Sequence, residues 1–329
     1  MLKNTWKFMT LAVLLLTISG WAMAGNLEPP GGPAPTMKSL QEIYDKVTIG
    51  TEITSLPHTI SSPGFYYITQ DLTSPAGSHG ITISVDNVTL DLMGFNLVGV
   101  GGTGNYDGIY MYRRTNVEIR NGTVRNFSRH GIYGADPTSR GHRIINVRTM
   151  GNGSRGVYLS GRANLIEGCT SLFNGSHGID VGPSSTVTRN TIFLNGFHGV
   201  NGYRGLIITG NTIFANNQSG IVTSEGSTII GNTSYKNSVT GIFAGRGSTV
   251  TSNTAYENGH NGIDARWGST VIGNTARDNQ GTGILIDGNS LVDQNTATNN
   301  WYNMNFDAVL STYGTNHAPL PKDDINPPW

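Results

Sequence analysis

A surplus of turn-forming residues, a 21-residue repeat and in-phase columns of branched aliphatics predict an all-β fold, a single-stranded right-handed parallel β-helix or solenoid. Of 329 residues, 45 are Gly, 33 are Asn and only 13% are charged. Average soluble domains carry about 7% Gly and about 25% charged residues. Low charge excludes coiled coils and most long helices, and Gly without a Gly-X-Y period excludes collagen. Gly followed by Ile or Val falls at Gly80, Gly108, Gly131, Gly156, Gly178, Gly199, Gly220, Gly241, Gly262 and Gly283, the last six 21 residues apart. These positions predict about ten coils of ~21 residues.

Each unit holds three short β-type runs, for example 221–224, 227–230 and 233–236, split by Gly226 and by Gly231-Asn232. The columns Ile179, Val200, Ile221, Ile242, Ile263, Ile284 and Val187, Ile208, Ile229, Val250, Val271, Val292 are purely branched aliphatic. Residues in phase must stack, and alternation along each run places these columns inside. Two Asn columns, from Asn174 to Asn300 and from Asn190 to Asn295, fall at turns, with Cys169 one repeat ahead of the second. Asn tolerates left-handed φ there, and its amide can bond the next Asn in the stack.

The remaining segments follow in chain order. Lys3 and Lys7 precede the apolar run Leu11 to Ile18 and then Ala22-Met23-Ala24, the pattern of a Sec signal peptide over 1–24 cleaved after Ala24. Residues 25–53 form a Pro/Gly-rich leader and a short capping helix over Thr36 to Val47, with Met37, Leu40, Ile43, Tyr44 and Val47 on one face. Residues 54–79, including Phe65-Tyr66-Tyr67-Ile68, are N-terminal cap strands, 80–300 the solenoid and 301–329 a C-terminal cap or tail. No second apolar stretch approaches the roughly 20 residues that span a bilayer. The expectation is a secreted or periplasmic monomer with no membrane span. One cysteine excludes a disulfide framework and Cys-based metal sites, and zero net charge argues against a nucleic-acid partner.

That neutrality hides a segregation. Residues 101–210 hold 12 Arg, no Lys and 5 acids, whereas both flanking regions are acidic. A basic belt suits an anionic ligand, and planar Arg suits carboxylates. Two residues after each Gly lie Tyr110, Tyr133, Tyr158, Asp180 and Asn201, with Tyr112, Tyr203 and Arg204 next along. Tyr on one outward face offers a sugar-stacking platform. Just before the Gly lie His130, Arg155, His177 and His198. A cation there would neutralise a uronate carboxylate and so acidify the C5 proton, which a Tyr or His could remove. Arg155 or His177 suits the first role and Tyr133 or His130 the acid/base role. The bland reading of these columns is a solvated face of turn residues and strand-favouring Tyr.

The coils over about 80–300, the leader Gly32-Pro33-Ala34-Pro35-Thr36-Met37-Lys38 and the segment Ser55 to Leu72 resemble exported right-handed β-helix repeat proteins, the group that includes pectate lyases and mannuronan C5-epimerases. Tyr133-Gly134-Ala135-Asp136-Pro137 resembles the Tyr-Gly-x-Asp-Pro-His-Asp/Glu signature of the epimerases, but Thr138 and Ser139 replace its His and acid. The resemblance therefore implies roles for Tyr133 and Asp136 and carries over no catalytic His; His142 and His130 are the substitutes in range. It implies an acidic polysaccharide as partner, processed by lyase or C5-epimerase chemistry. The alternative is a non-catalytic carbohydrate-binding or envelope solenoid. Pectate-lyase-like enzymes often use Ca²⁺, so a Ca²⁺ requirement stays open, although Asp180, Asp264 and Asp287 are too dispersed for an evident cage. The Thr column from Thr170 to Thr296 resembles that of ice-binding solenoids. Counting back from Lys236, Glu257 and Asp278, which must face water, parity turns the Thr column and Phe193, Phe214, Tyr235 and Tyr256 inward.

Overall fold

Three-residue strands separated by short turns cannot bury a face alone, so they acquire partners only by stacking coil on coil. The computed structural model describes residues 50–306 and 312–319, and its elements there are strands and turns with no helix. The expected signal peptide and the helix at Thr36 to Val47 lie outside the described residues.

Strands pair in parallel with the equivalent strand one coil later, as in Ile179–Val181 with Val200–Gly202. Twelve strands, from His58–Ile60 to Tyr302–Phe306, form one sheet, called here the front sheet. The other twenty-two form two ladders, here the second and third. Val117–Arg125 and Arg143–Met150 run unbroken through both ladders and fuse them into one sheet. The stack therefore runs to about twelve turns rather than ten, because His58–Ile60 and Tyr302–Phe306 extend the front sheet past the first and last Gly-aliphatic pairs.

The aliphatic columns are interior as expected: Ile179, Val200, Ile221, Val187, Ile208 and Ile229 are all fully buried. Gly precedes the front strand because of crowding. A Cβ on Gly178 would lie 2.5 Å from Cγ2 of Ile192 and 2.8 Å from the carbonyl oxygen of Gly199.

Both Asn columns form buried ladders. The Nδ2 of Asn190 donates to Oδ1 of Asn211 at 2.9 Å, and the backbone N–H of Asn190 donates to the same oxygen. Asn195 repeats the pattern with Asn216. The left-handed residue, however, is the one before each Asn: Arg189, Leu194, Ala215, Lys236, Ser252, Glu257 and Asp278 all have φ between 53° and 56° except Glu257 at 52°.

That feature overturns the parity argument. A left-handed residue resets the alternation, so Lys236 says nothing about Tyr235. In the third ladder the middle residue points in (Ile192, Ile213, Ser234, Ala255, Ala276), and the Thr and aromatic columns flank it on the outside. The outward rings form a ladder: Phe193–Phe214, Phe214–Tyr235 and Tyr235–Tyr256 stack at 4.7, 4.9 and 4.7 Å, and the Arg277 guanidinium lies 4.3 Å from Tyr256. The Thr column thus faces solvent, but the rings two residues along the same strands keep this face from being flat.

Candidate functional site

The front sheet places two outward rows side by side. In the first, parallel pairing aligns Tyr110, Tyr133, Tyr158, Asp180 and Asn201. In the second, the residues before each Gly are tied by backbone bonds from one coil to the next, as from Gly131 to Arg155 and from Gly156 to His177. This row starts earlier than His130, with His79 and Asp107. Both were legible as residues preceding a Gly-Ile pair. Arg129, one position further back, carried no such signal.

Charge in these rows is organised as pairs. Arg129 donates from Nε to Oδ1 of Asp107 at 2.8 Å and makes a second contact to Oδ2, while its guanidinium sits 4.4 Å from the Tyr133 ring centroid. Arg155 donates from Nε to Oδ2 of Asp180 at 2.7 Å and sits 4.2 Å from the Tyr158 centroid. Asn201 donates to the other Asp180 oxygen at 3.0 Å. Burial raises the Asp107 and Asp180 carboxyls despite the opposing guanidinium charges. Burial also raises the phenols of Tyr133 and Tyr158, which keeps them protonated.

The Tyr column is a stack more than an open platform. Tyr110 and Tyr133 stack at 5.5 Å with 12° between planes, His79 covers Tyr110 at 4.6 Å, His130 covers Tyr133 at 5.3 Å, and Tyr158 meets Tyr133 edge-on. Tyr112 joins this group, 6.4 Å from both Tyr110 and Tyr133.

One nitrogen separates the histidines. His79, His130 and His198 each accept at Nδ1 a backbone N–H of the following coil, from Asp107, Arg155 and Ser219 at 2.9, 3.2 and 3.1 Å. An accepting Nδ1 on a neutral ring puts the proton on Nε2, leaving a donor and no free lone pair. His177 lacks this bond, and its buried Nδ1 has no partner. Burial first, then the Arg155 charge, hold His177 neutral, with a pKa pushed down to about 3; His130 is likewise pushed to about 3. His177 stacks on His198 at 5.3 Å with Phe197 against its edge.

Other expected site residues lie elsewhere or have structural work. Asp136 accepts the backbone N–H of Thr138 at 2.8 Å and its hydroxyl, and Arg113 pairs with it at 3.3 Å, so its pKa falls to about 2. It builds the turn that an Asp-Pro sequence favours. His142 is fully buried in the interior turn column, its Nδ1 3.4 Å from the N–H of Val117, and the structure does not bring it to the front face. Tyr203 and Arg204 are exposed at the front edge, where Arg204 approaches Glu225 at 4.0 Å. Of the 12 Arg in the basic belt, Arg113, Arg120, Arg129, Arg143, Arg155, Arg189 and Arg204 already face carboxylates. The belt also wraps several faces, since Arg120 and Arg143 belong to the rear ladders.

No group of three His, Cys, Asp or Glu is placed to hold a metal ion among the described residues. The front-row acids do not fit Ca²⁺, because Asp107 and Asp180 are each claimed by a guanidinium and a further N–H donor.

Fold and site define a parallel β-solenoid carrying a row of Arg–carboxylate–Tyr groups on one sheet. The family model for the right-handed beta helix region matches residues 76–205, 138–275 and 200–320, and the chain belongs to that family. No curated protein matches its sequence. Among solved structures, a double mutant of the periplasmic alginate epimerase AlgG is similar with a TM-score of 0.60 and 16% identity, over 84% of this chain and 82% of that one. The mannuronan C-5 epimerase AlgE4 A-module of Azotobacter vinelandii gives 0.55 and 16%, over 80% and 82%. The Dettilon tailspike protein gives 0.58 and 18%, with 80% of this chain spanning 60% of the tailspike chain. Identities this low establish the shared fold. No described helix is long and apolar enough to cross a membrane.

Proposed function

We propose that the protein is exported by its amino-terminal signal sequence, acts as a monomer, and processes an acidic, uronate-containing polysaccharide along the front sheet by removing the C5 proton. The observation that carries this reading is the free Nδ1 of His177 beside the Arg155–Asp180 pair. In a column where the neighbouring imidazoles cap backbone, no hydrogen bond fixes the His177 tautomer, so the ring can carry its proton on the buried Nδ1 and leave the lone pair on Nε2.

The roles follow from the charges. Arg155 holds Asp180 through Nε, so its terminal nitrogens are the donors for a substrate carboxylate, whose neutralisation acidifies C5–H. His177 takes the proton. A docked carboxylate beside it offsets the burial and the Arg155 charge that depress its basicity. Tyr158, held protonated, is the acid. In elimination the C5 electron pair forms the C4=C5 bond, the C4–O bond breaks and Tyr158 protonates the departing oxygen. In epimerisation Tyr158 instead gives its proton to C5 from the face opposite His177, and proton exchange with water resets both groups.

The test is incubation of the mature protein with alginate, polygalacturonate and glycosaminoglycans, with and without Ca²⁺. Ultraviolet absorbance reads unsaturated uronates and proton NMR reads epimerisation. Turnover that disappears in His177→Asn while polymer binding remains supports the reading; no change in any polymer by wild type sinks it. Binding without turnover would favour the non-catalytic solenoid, a reading that draws support from the turn-building role of Asp136.

A further inference from the structure

Four coils beyond Asp180, about 19 Å along the stack at ~4.8 Å per coil, the front sheet carries a second concentration of chemistry. Between them the outward row is uncharged at Asn201, Val222 and Phe243. The chain then forms an open cleft of about 690 Å³ lined by Arg246, Trp267, Leu285, Asp287 and Asn305. Arg246 and Trp267 occupy successive coils of the turn column that begins at Arg204 and Glu225, as the bonds from Gly205 to Glu225, Gly226 to Arg246 and Gly247 to Trp267 establish.

Two features distinguish this cleft from the site around His177. Tyr133, Tyr158 and Phe243 each carry a guanidinium over the ring, at 4.4, 4.2 and 4.9 Å. Trp267 is 46% exposed, and no ring or cation covers it among the described residues. Its indole is therefore a free stacking surface. Arg246 is exposed and, among the described residues, has no carboxylate partner, unlike Arg155 and Arg129. Its whole guanidinium fork is open to a planar anion. Asp287 is held in place by Arg266 at 3.5 Å, which also pairs with the buried Asp264 at 3.3 Å.

We infer that this cleft is a second, non-catalytic binding site for a uronate unit of the same polymer. Trp267 stacks on the C–H face of the pyranose, Arg246 takes its carboxylate as a bidentate pair, and Asp287 and Asn305 bond its hydroxyls. The inference rests on the polyuronate reading above. It adds that the protein holds chain at two points four coils apart, so that affinity depends on chain length through effective concentration.

The experiment is a binding series with oligogalacturonates and oligomannuronates from disaccharide to decasaccharide, read by titration calorimetry and by tryptophan fluorescence. In wild type, short oligomers should perturb the fluorescence, and affinity should rise steeply once the chain can bridge both points. Trp267→Ala should abolish the fluorescence response, and Arg246→Gln, a change at an exposed turn that the fold tolerates, should weaken long-chain binding at least about tenfold. His177→Asn should retain both the response and the length dependence. Long-chain affinity unchanged in both Trp267→Ala and Arg246→Gln overturns the inference and leaves the catalytic reading standing. Trp267-dependent binding without turnover of any polymer sinks the catalytic reading and supports this one. Absence of all oligouronate binding overturns both.

Discussion

At His79, His130 and His198 a backbone N–H of the next coil occupies Nδ1, whereas His142 sits inside the solenoid with Nε2 unpartnered. Burial lowers the pKa of His130, His142 and His177 to about 3, 4 and 3 from the ordinary 6.5. The unfolded chain therefore binds more protons than the folded one between these limits, and stability present above pH 6.5 is lost as pH falls toward 4. Asp107 and Asp180, raised by burial, act in the opposite sense and reduce the net slope. His142→Asn keeps an acceptor for the Val117 N–H in a column where Asn164 already fits. It should make the acid loss shallower by about 1.4 kcal/mol per pH unit, measured as denaturant midpoints across pH 4 to 7; an unchanged slope would refute it. A second residue-scale prediction concerns the left-handed positions. Ala215 has φ of 53°, which costs a residue with a Cβ about 1 kcal/mol. Ala215→Gly should raise stability by up to about that amount, and Gly231→Ala, at φ of 64° with open space around it, should lower it by about 1–2 kcal/mol.

At the scale of the strand and its turn, the Asn ladders hold coils together more specifically than the aliphatic columns do. Asn216 accepts from Asn195 and donates to Asn237 and to the carbonyl of Ile192. Asn216→Leu leaves the buried Asn195 backbone N–H without its acceptor and strips one bond each from the Asn195 amide and the Asn237 oxygen, so a loss of about 1–3 kcal/mol in chemical denaturation is expected. A loss below about 1 kcal/mol would mean that the ladder is decorative. This is also the scale at which sequence reading succeeded and failed. Gly178, Ile179 and Asn190 repeat in phase, and repetition alone reveals the coil, its interior aliphatics and its turns. The outward direction of Thr191 and Phe193 was hidden, because the left-handed turn at Leu194 depends on backbone conformation that a non-Gly residue does not advertise. The row from Tyr110 to Asp180 was legible from its spacing. That Tyr133 is covered and that His177, unlike His79, His130 and His198, lacks an Nδ1 partner depend on neighbours one coil away, with no trace in spacing.

For the whole molecule, the solenoid is a stack, and among the described residues its last strands fall within 302–313. Tyr302–Phe306 pairs with Thr282–Ile286, Thr312–Tyr313 pairs with Leu291–Asp293, and Asn303 and Asn316 receive the last ladder donors, from Asn300 and Asn295. Removal of residues 301–329 should expose these strands as unpaired edges. The shortened protein should form larger species in light scattering while its coils remain folded by circular dichroism; a stable monomer would refute the capping role. Because polymer binding is assigned to guanidinium–carboxylate contacts, it should also weaken as ionic strength rises, least for the contact at Arg155, which is partly buried.

The ladders also have a sense. From Asn152 to Asn279 and from Asn190 to Asn274, each side-chain amide donates to the Asn oxygen of the coil that follows, while its remaining N–H reaches a backbone carbonyl of the coil that precedes. Their dipoles therefore align along the stack instead of alternating, as strand dipoles do in an ordinary sheet. Each ladder is therefore polarised along the stack, its first amide oxygen taken by the backbone N–H of Phe127 or Cys169 and its last amide, at Asn303 or Asn316, turned to a carbonyl.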